Sequence, residues 1–379
     1  MENGELRILE AFLISAVAFF FLLSFLILIH EAGHFFAARR SGVIVEEFGF
    51  GLPPRAKTLF VAGGTRFSLN WIPFGGFVRL KGENAVHEAD RRMKGNFAAA
   101  PYRSRILILV AGVAMNFFLS LLIFVGGFSA GGWIPTYVSY EDLRSAAARG
   151  EVMLSPGVVI ESVLPEGPAA RAGVAPQGLL IAVDGVTVYS PAEVAPLQKD
   201  KEEVRYTVRT GPDVPDERDI VVPVEDGKTG IALGFHIRGI TSPSRSLVQG
   251  GVLAVREASV MTVQTVLGIG KLFQSLFLTA RVPEGITGII GIAQMTHASV
   301  REGWSVYMRL LAELSLGLAA LNILPVPALD GGRLMFVLLE MVRRKPVNRT
   351  FEVLTNAVGF VFLILLILVI TYHDVLRLF

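Results

Sequence analysis

The chain has 379 residues, of which 52% are apolar and 18% are charged, and its mean hydropathy is +0.55. This composition is too hydrophobic for an ordinary soluble enzyme of that length and predicts a membrane protein. The formal net charge is only +2, so no overall basic field attracts nucleic acid, and we expect no nucleic-acid partner. Cysteine is absent, which excludes disulfides and thiolate metal sites and leaves His, Asp and Glu to hold any transition metal.

A first transmembrane helix is predicted within residues 1–42. Residues 11–29 carry no charge, and a helix of that length covers about 28 Å, which matches the hydrocarbon core of a bilayer. The helix is expected to continue through "HEAGH" at 30–34 to two arginines and a Ser-Gly stop. Ionisable groups at the end of such a run are costly in lipid and usually functional.

The loop at residues 43–105 is predicted to face the cytoplasm, because together with Arg39 and Arg40 just before it there are roughly a dozen basic residues against about five acidic ones. Gly63 and Gly64 lie between short runs of β-forming residues. We therefore expect a membrane-associated β-hairpin here, with Trp71 and other aromatic side chains at the membrane interface. A second transmembrane helix is predicted at 106–132, which is uncharged over most of its length.

A soluble α/β domain is predicted at residues 155–226, where short Val and Ile runs alternate with turn signals and charged residues. It lies between two predicted linkers at 133–154 and 227–250. Because the second span crosses outwards from the cytoplasm, this domain is expected on the extracytoplasmic side.

The last third of the chain is predicted to return to the membrane. Glu257, Gln264 and Lys271 recur every seven residues, so an amphipathic helix on the membrane surface is expected, rather than a span. The predicted segments are 251–303 for this helix and its connection, 304–340 for a third span with the break "NILPVPALDGG", and 341–379 for a basic loop and a fourth span. The expected fold is a polytopic α-helical membrane protein with about four transmembrane helices.

The motif "HEAGH" contains the residues with the clearest chemistry. His30 and His34 are four residues apart and therefore lie on one face of a helix, about one turn from each other. Two imidazoles so placed can bind one zinc ion, and Glu31 beside them can take a proton from water, as in zinc metalloproteases with this motif. The alternative is that both histidines are interfacial residues and the glutamate has no chemical role.

Zinc needs a third protein ligand and one position left open for water. Asp330 is a better candidate than the remaining histidines, because it follows the third span on the same predicted side as His34, and the prolines before it open the helix towards a cavity. Its alternative role is that of a turn residue. Asn322 in the same break either binds a substrate backbone or developing oxyanion, or caps backbone groups freed by Pro325.

Two residues of "AGVAMN" in the second span are also candidates for a structural or a functional role. Gly112 allows close approach of a neighbouring helix, and Asn116 offers one polar contact. We interpret both as structural residues.

These motifs resemble the site-2 protease family of intramembrane zinc metalloproteases, in particular the bacterial regulator-of-sigma-E-protease type with a single PDZ domain. The resemblance extends over nearly the whole chain and includes "FGFG", "GTRFSLNWIPFGGFVRLKGE", "AGVAMNF", "ITGIIGIA", "NILPVPALDGGRL" and a PDZ-like "GVVIESVLPEGPAARAGVAPQGLLIAVDGVTV". It implies His30, His34 and Asp330 as zinc ligands, Glu31 as catalytic base and Asn322 as a substrate-positioning residue. It also implies that the hairpin presents the substrate strand to the zinc.

The resemblance implies regulated intramembrane proteolysis of single-span membrane proteins, such as an anti-sigma factor or a signal-peptide remnant. The implied location is the cytoplasmic membrane of a prokaryote, with the active site near the cytoplasmic side and the lipid bilayer around it. The PDZ-like domain either binds peptide termini or serves as a passive cap. Two other functions stay open, a membrane metal transporter and a catalytically inactive scaffold.

Overall fold

The computed structural model describes residues 2–83, 93–209, 217–279, 281–283 and 285–377, apart from the side chains of residues 2–12 and of Phe74. The chain divides into two compact units. One comprises Met1–Gly131 with Arg245–Phe379, and the other comprises Gly132–Ser244.

The described elements are numbered in chain order. The helices are α1 Glu2–Arg40, α2 Tyr102–Ser129, α3 Tyr140–Ala148, α4 Pro168–Arg171, α5 Pro191–Gln198, α6 Leu247–Thr279, α7 Ile289–Glu302, α8 Trp304–Asn322, α9 Asp330–Arg343 and α10 Arg349–Leu376, with a 3₁₀ turn at Phe97–Ala99. The strands are β1 Val45–Ala62, β2 Thr65–Leu80, β3 Met153–Val163, β4 Leu179–Val183, β5 Val186–Thr187, β6 Glu203–Arg209, β7 Glu217–Pro223 and β8 Ile231–Thr241.

Five helices of the described chain are long and apolar enough to cross a membrane: α1 from Leu13, α2, α6, α8 and α10. The chain is therefore a multi-pass membrane protein. The sequence predicts about four spans, and the additional candidate is α6. The prediction that Glu257 lies on an exposed polar face of α6 is wrong, because its side chain is 1% exposed. Glu257 pairs with Arg309 of α8 at 3.4 Å instead of facing the membrane surface. Gln264 and Lys271 on the same helix are exposed.

The core of the larger unit is a bundle in which α1 and α8 run in the same direction. The hydroxyl of Tyr307, near the start of α8, donates to the carbonyl of Ala18 at 2.9 Å, and buried leucines of the two helices pack together beyond it. The end of α1 lies beside Asp330, which follows α8. Helix α2 runs antiparallel to α1, since Ile108 near its start contacts His34 near the end of α1.

Both chain segments that flank α6 lie at the end of the bundle opposite Asp330. Gly250 in its first turn packs against Ser129 at the end of α2, where an added Cβ would lie 2.0 Å from the serine Oγ. After α6, the backbone N–H groups of Gly288 and Gly291 donate to Asp374 at 2.8 and 3.0 Å, which fixes the start of α7 near the end of α10.

The predicted hairpin is present, with its turn at Gly63 and Gly64, both at positive φ. Its two long strands bend, so that the first half of β1 pairs on both sides. Phe48, for example, lies between Phe67 and Val78 of β2. The segment 76–80 of β2 thereby forms one edge of this small sheet, and β2 packs against α1.

The smaller unit contains an antiparallel sheet with strand order β7-β6-β4-β3-β8, and β5 pairs with β4. Its core comprises buried Val158, Ile160, Leu180 and Tyr206. The sheet extends beyond the predicted bounds 155–226, because β8 lies in the predicted linker and pairs along β3. The PDZ-like nature of this unit stays a prediction.

Candidate metal centre

Three side chains from two distant parts of the chain come together at the end of α1. His30 Nε2 lies 2.8 Å from Asp330 Oδ2, His34 Nε2 lies 3.2 Å from the same oxygen, and the two Nε2 atoms are 3.1 Å apart. Ligand atoms about 2.0–2.1 Å from a tetrahedral zinc ion are about 3.3 Å from each other. Two imidazoles and a carboxylate at this spacing therefore fit a zinc ion with a fourth position open for water.

The ring of His34 is held by its other nitrogen. Its Nδ1 donates to the carbonyl oxygen of Ile108 at 2.8 Å, and its Nε2 is directed at Asp330. Such a backbone partner fixes the tautomer and orientation of a metal-binding histidine. Gly112 gives the ring its space, because an added Cβ there would lie 2.4 Å from His34 Nε2 and 2.9 Å from His30 Cε1.

A sharp break between α8 and α9 brings Asp330 to the histidines. Gly331 and Gly332 pack directly on the backbone of this break, where added Cβ atoms would lie 2.2 Å from the carbonyl oxygen of Leu324 and 2.3 Å from that of Val326. Side chains at these two positions would push α9 away. The Gly-Gly pair after Asp330 therefore positions its carboxylate at the first turn of α9.

Glu31 lies next to the face of α1 that carries His30 and His34, and it is half-buried. Its Oε2 accepts a hydrogen bond from the backbone N–H of Val78 at 2.9 Å. Both residues line a cavity of about 140 Å³ together with His34, Asp330 and Arg333. A cavity of this size and polarity holds several water molecules, so water can reach the carboxylate.

Asn322 is the last residue of α8 and is half-buried. It does not line the cavity around Glu31, and within the described residues its amide makes no hydrogen bond that would mark it as a cap. The structure thus leaves both predicted roles of Asn322 untested.

The structure adds a residue that sequence reasoning missed. The carboxylate of Glu83, just after β2, forms an ion pair with Arg333 one turn after Asp330, and both side chains line the cavity. Glu83 Oε2 also accepts from the backbone N–H of Leu80 at 3.3 Å, and its carbonyl accepts from Arg349 at 2.7 Å. No local pattern signals a pair whose members are 250 positions apart.

Comparisons with known proteins point to one peptidase family. The model of the family described as Peptidase family M50 matches residues 18–366, a range that includes every residue of the candidate centre. The chain is similar to zinc metalloprotease RasP of Geobacillus kaustophilus, with 26% identity over 450 residues, 96% of this chain and 98% of that protein.

Two further relatives have names that assign them provisionally to the zinc metalloproteases. The protein from Clostridium perfringens is 28% identical over 362 residues, which cover 94% of this chain and 98% of the relative. The protein from Rhizobium meliloti is 28% identical over 383 residues, which cover 95% of this chain and 96% of the relative.

Proposed function

The chain belongs to peptidase family M50, and from that membership we propose that it is an intramembrane zinc metalloprotease in which His30, His34 and Asp330 hold the metal. The observation that carries this proposal is the convergence of three ligand atoms beside Glu31, at the polar end of an apolar helix. Charged groups are tolerated there because they line a hydrated cavity and not a lipid-facing surface.

The chain's own residues supply the proton transfers of peptide hydrolysis. When bound, zinc would polarise the scissile carbonyl and lower the pKa of water towards neutrality. Glu31 accepts the proton of the attacking water and delivers it to the leaving amine, and the N–H of Val78 keeps its carboxylate turned towards the cavity. His34 keeps its ligating nitrogen in place through Ile108.

The substrates we propose are single-span membrane proteins. A substrate helix hides its peptide bonds in its own hydrogen bonds, so it must unwind before Glu31 can act, and helix-breaking residues near the cut are expected. The hairpin beside α1 is suited to hold the unwound segment in extended form, because segment 76–80 is an edge strand. Asn322 is proposed to contact that segment as it approaches, and the smaller unit is proposed to act as a cap or to bind peptide termini.

We propose four membrane crossings, by α1, α2, α8 and α10. Helix α6 meets the length and composition of a span, but its flanking segments lie at one end of the bundle, at Ser129 and at Asp374. If α6 crossed the membrane once, its two flanking segments would lie at opposite ends of the bundle, which is inconsistent with these contacts. The excess of basic residues in 43–105 then supports a cytoplasmic position for the metal site, in the cytoplasmic membrane of a prokaryote, with the smaller unit on the other side.

The rival functions fit the site less well. A metal transporter needs ligands repeated along a path through the membrane, and within the described residues one cluster of three metal-ligand side chains occurs. A catalytically inactive scaffold has no need of a carboxylate beside a metal centre, and Glu31 is present and hydrogen-bonded there.

The test is cleavage of a single-span reporter that carries a helix-breaking residue, by purified protein in lipid. We expect the parent to cut within the membrane segment, and Glu31→Gln to retain zinc but lose cleavage by at least about 10²-fold, because only the base is removed. Glu313→Gln is the matched control, since Glu313 pairs with Arg309 on α8 at 3.0 Å and lies outside the site. Equal cleavage by the parent and Glu31→Gln would reject the proposed mechanism.

A further inference from the structure

Asn116 in the middle of α2 is a polar side chain that the fold leaves unsatisfied. It is 0% exposed, and neither its Oδ1 nor its Nδ2 has a hydrogen-bond partner among the residues that the structure describes. Its backbone carbonyl accepts a hydrogen bond from the hydroxyl of Ser315 at 2.9 Å. The structural role predicted for this amide therefore requires a polar contact that the described side chains do not provide. A buried amide in a membrane bundle is costly unless it is paired, so the residue needs an explanation.

A ring nitrogen of His30 is a second buried polar atom without a hydrogen-bond partner among the described residues. Nδ1 of His30 is buried and makes no hydrogen bond within the described part of the chain, whereas the corresponding nitrogen of His34 donates to Ile108 at 2.8 Å. Histidines that bind a metal through one nitrogen almost always donate the other N–H to an oxygen. One proposed ligand thus has its oxygen partner and the other does not.

The packing of α1 on α2 brings these two groups towards each other. Gly112 lies against the His30 ring, where an added Cβ would be 2.9 Å from Cε1, the ring carbon bonded to Nδ1. Asn116 follows Gly112 by four residues and lies on the same face of α2. Side chains tilt towards the start of their own helix, and α1 and α2 are antiparallel, so the His30 ring and the Asn116 amide tilt towards each other.

We propose that Asn116 is a positioning residue of the metal centre, linked to His30 by one bridging water that accepts the N–H of His30 Nδ1 and donates to Asn116 Oδ1. This inference rests on the proposed function, because it takes His30 as a zinc ligand. The amide oxygen and the ring N–H are complementary, and a water between them satisfies two buried groups at little cost. Asn116 then fixes the orientation of the His30 ring, as the carbonyl of Ile108 fixes that of the His34 ring.

The test is zinc affinity, measured on the full chain in detergent by competition with a chromophoric chelator. Asn116→Leu keeps the volume but removes the acceptor, and we expect zinc to bind about 10- to 100-fold more weakly, the usual effect of losing such a partner. Asn116→Asp keeps an acceptor oxygen and is expected to stay within about threefold of the parent. Ser120→Ala is the matched control, since this buried hydroxyl lies one turn further along α2 and bonds the carbonyl of Phe117 at 2.8 Å.

The outcomes separate this proposal from the function on which it rests. A folded Asn116→Leu variant that binds zinc as tightly as the parent overturns the role of Asn116 and leaves the proposed protease intact. If that variant does not fold, Asn116→Ala decides by the same criterion, because it also lacks the acceptor. A parent chain that binds no zinc rejects the proposed function itself, and the role of Asn116 with it.

Discussion

The backbone N–H of Val78 donates to the carboxylate of Glu31 at 2.9 Å, although the two residues are 47 positions apart. Val78 lies in segment 76–80, the edge of the hairpin sheet that packs against α1. The orientation of the proposed base is therefore coupled to the position of the hairpin. A displacement of this strand would release the carboxylate, so contacts that hold the end of β2 are expected to affect turnover.

The first prediction concerns Glu83, which holds the end of β2 against α9 through Arg333. We expect Glu83→Ala to lower kcat on the reporter about 10- to 100-fold with little change in zinc affinity, because a misplaced hairpin disturbs the geometry of Glu31 but not the ligands. Glu46→Ala, on the exposed face of the same hairpin, is the control and should cleave normally. The charge swap Glu83→Arg with Arg333→Glu should restore part of the activity, and full kcat in Glu83→Ala would contradict the coupling.

The second prediction concerns the fit of α2 against the proposed metal centre. Gly112→Ala places a methyl group 2.4 Å from the position of His34 Nε2, so the ring must move and we expect zinc affinity to fall at least about tenfold. The control is Gly126→Ala on the same helix, where an added Cβ has nothing within 4 Å. Zinc affinity measured by chelator competition should separate the two variants. Equal affinities would mean that α2 yields to the methyl group.

The sequence predicts those parts of the site that depend on local spacing. The sequence indicates His30 and His34 as a pair of ligands, because positions four apart lie on the same face of a helix. The predicted side of the membrane and the helix break before it indicate Asp330, and the structure places its carboxylate beside both histidines. Two adjacent glycines likewise predict the hairpin turn, and both have positive φ in the structure.

Features that depend on tertiary pairing could not be predicted in this way. The bond from Val78 to Glu31 uses a backbone N–H, which every non-proline residue has. The sequence does not indicate strand β8 as part of the domain, because its pairing with β3 joins segments far apart in the chain. The sequence does not distinguish the two environments open to Glu257, because a charge on an apolar helix indicates either a polar surface or a buried ion pair. The pairing with Arg309, on a different helix, places Glu257 in the second.

The third prediction concerns the buried ion pair between Arg105 of α2 and Glu340 of α9, whose side chains lie 2.6 Å apart and are less than a tenth exposed. Glu340→Ala leaves a buried guanidinium uncompensated, so we expect the free energy of unfolding in detergent to fall by about 3–5 kcal/mol. The double variant Arg105→Met with Glu340→Leu should recover most of this loss, because it removes both charges. Arg343→Ala, exposed on the same helix, is the control. A loss below about 1 kcal/mol would mean that water reaches the pair.

The fourth prediction is a pH dependence in the smaller unit. Burial raises the pKa of Tyr206 to about 12, and its hydroxyl bonds Thr229 at 2.7 Å and the amide of buried Gln198. The unfolded phenol has a pKa near 10, so the contribution of Tyr206 to stability is constant below about pH 10 and is lost as pH rises towards 12. Unfolding of the full chain, followed at several pH values, should show this loss in the parent and not in Tyr206→Phe. Tyr189→Phe is the control, since Tyr189 is 51% exposed.

The fifth prediction tests the four-span topology, and the absence of cysteine makes single-cysteine labelling direct. Tyr189→Cys reports the smaller unit, Arg301→Cys reports α7 after helix α6, and Arg344→Cys reports the exposed turn between α9 and α10. In sealed, right-side-out membranes we expect an impermeant maleimide to label positions 189 and 301, and to label 344 only after permeabilisation. If α6 crossed the membrane, position 301 would be protected while 189 was labelled. That result would also separate the start of α7 from Asp374, contrary to the hydrogen bonds at 2.8 and 3.0 Å that join them.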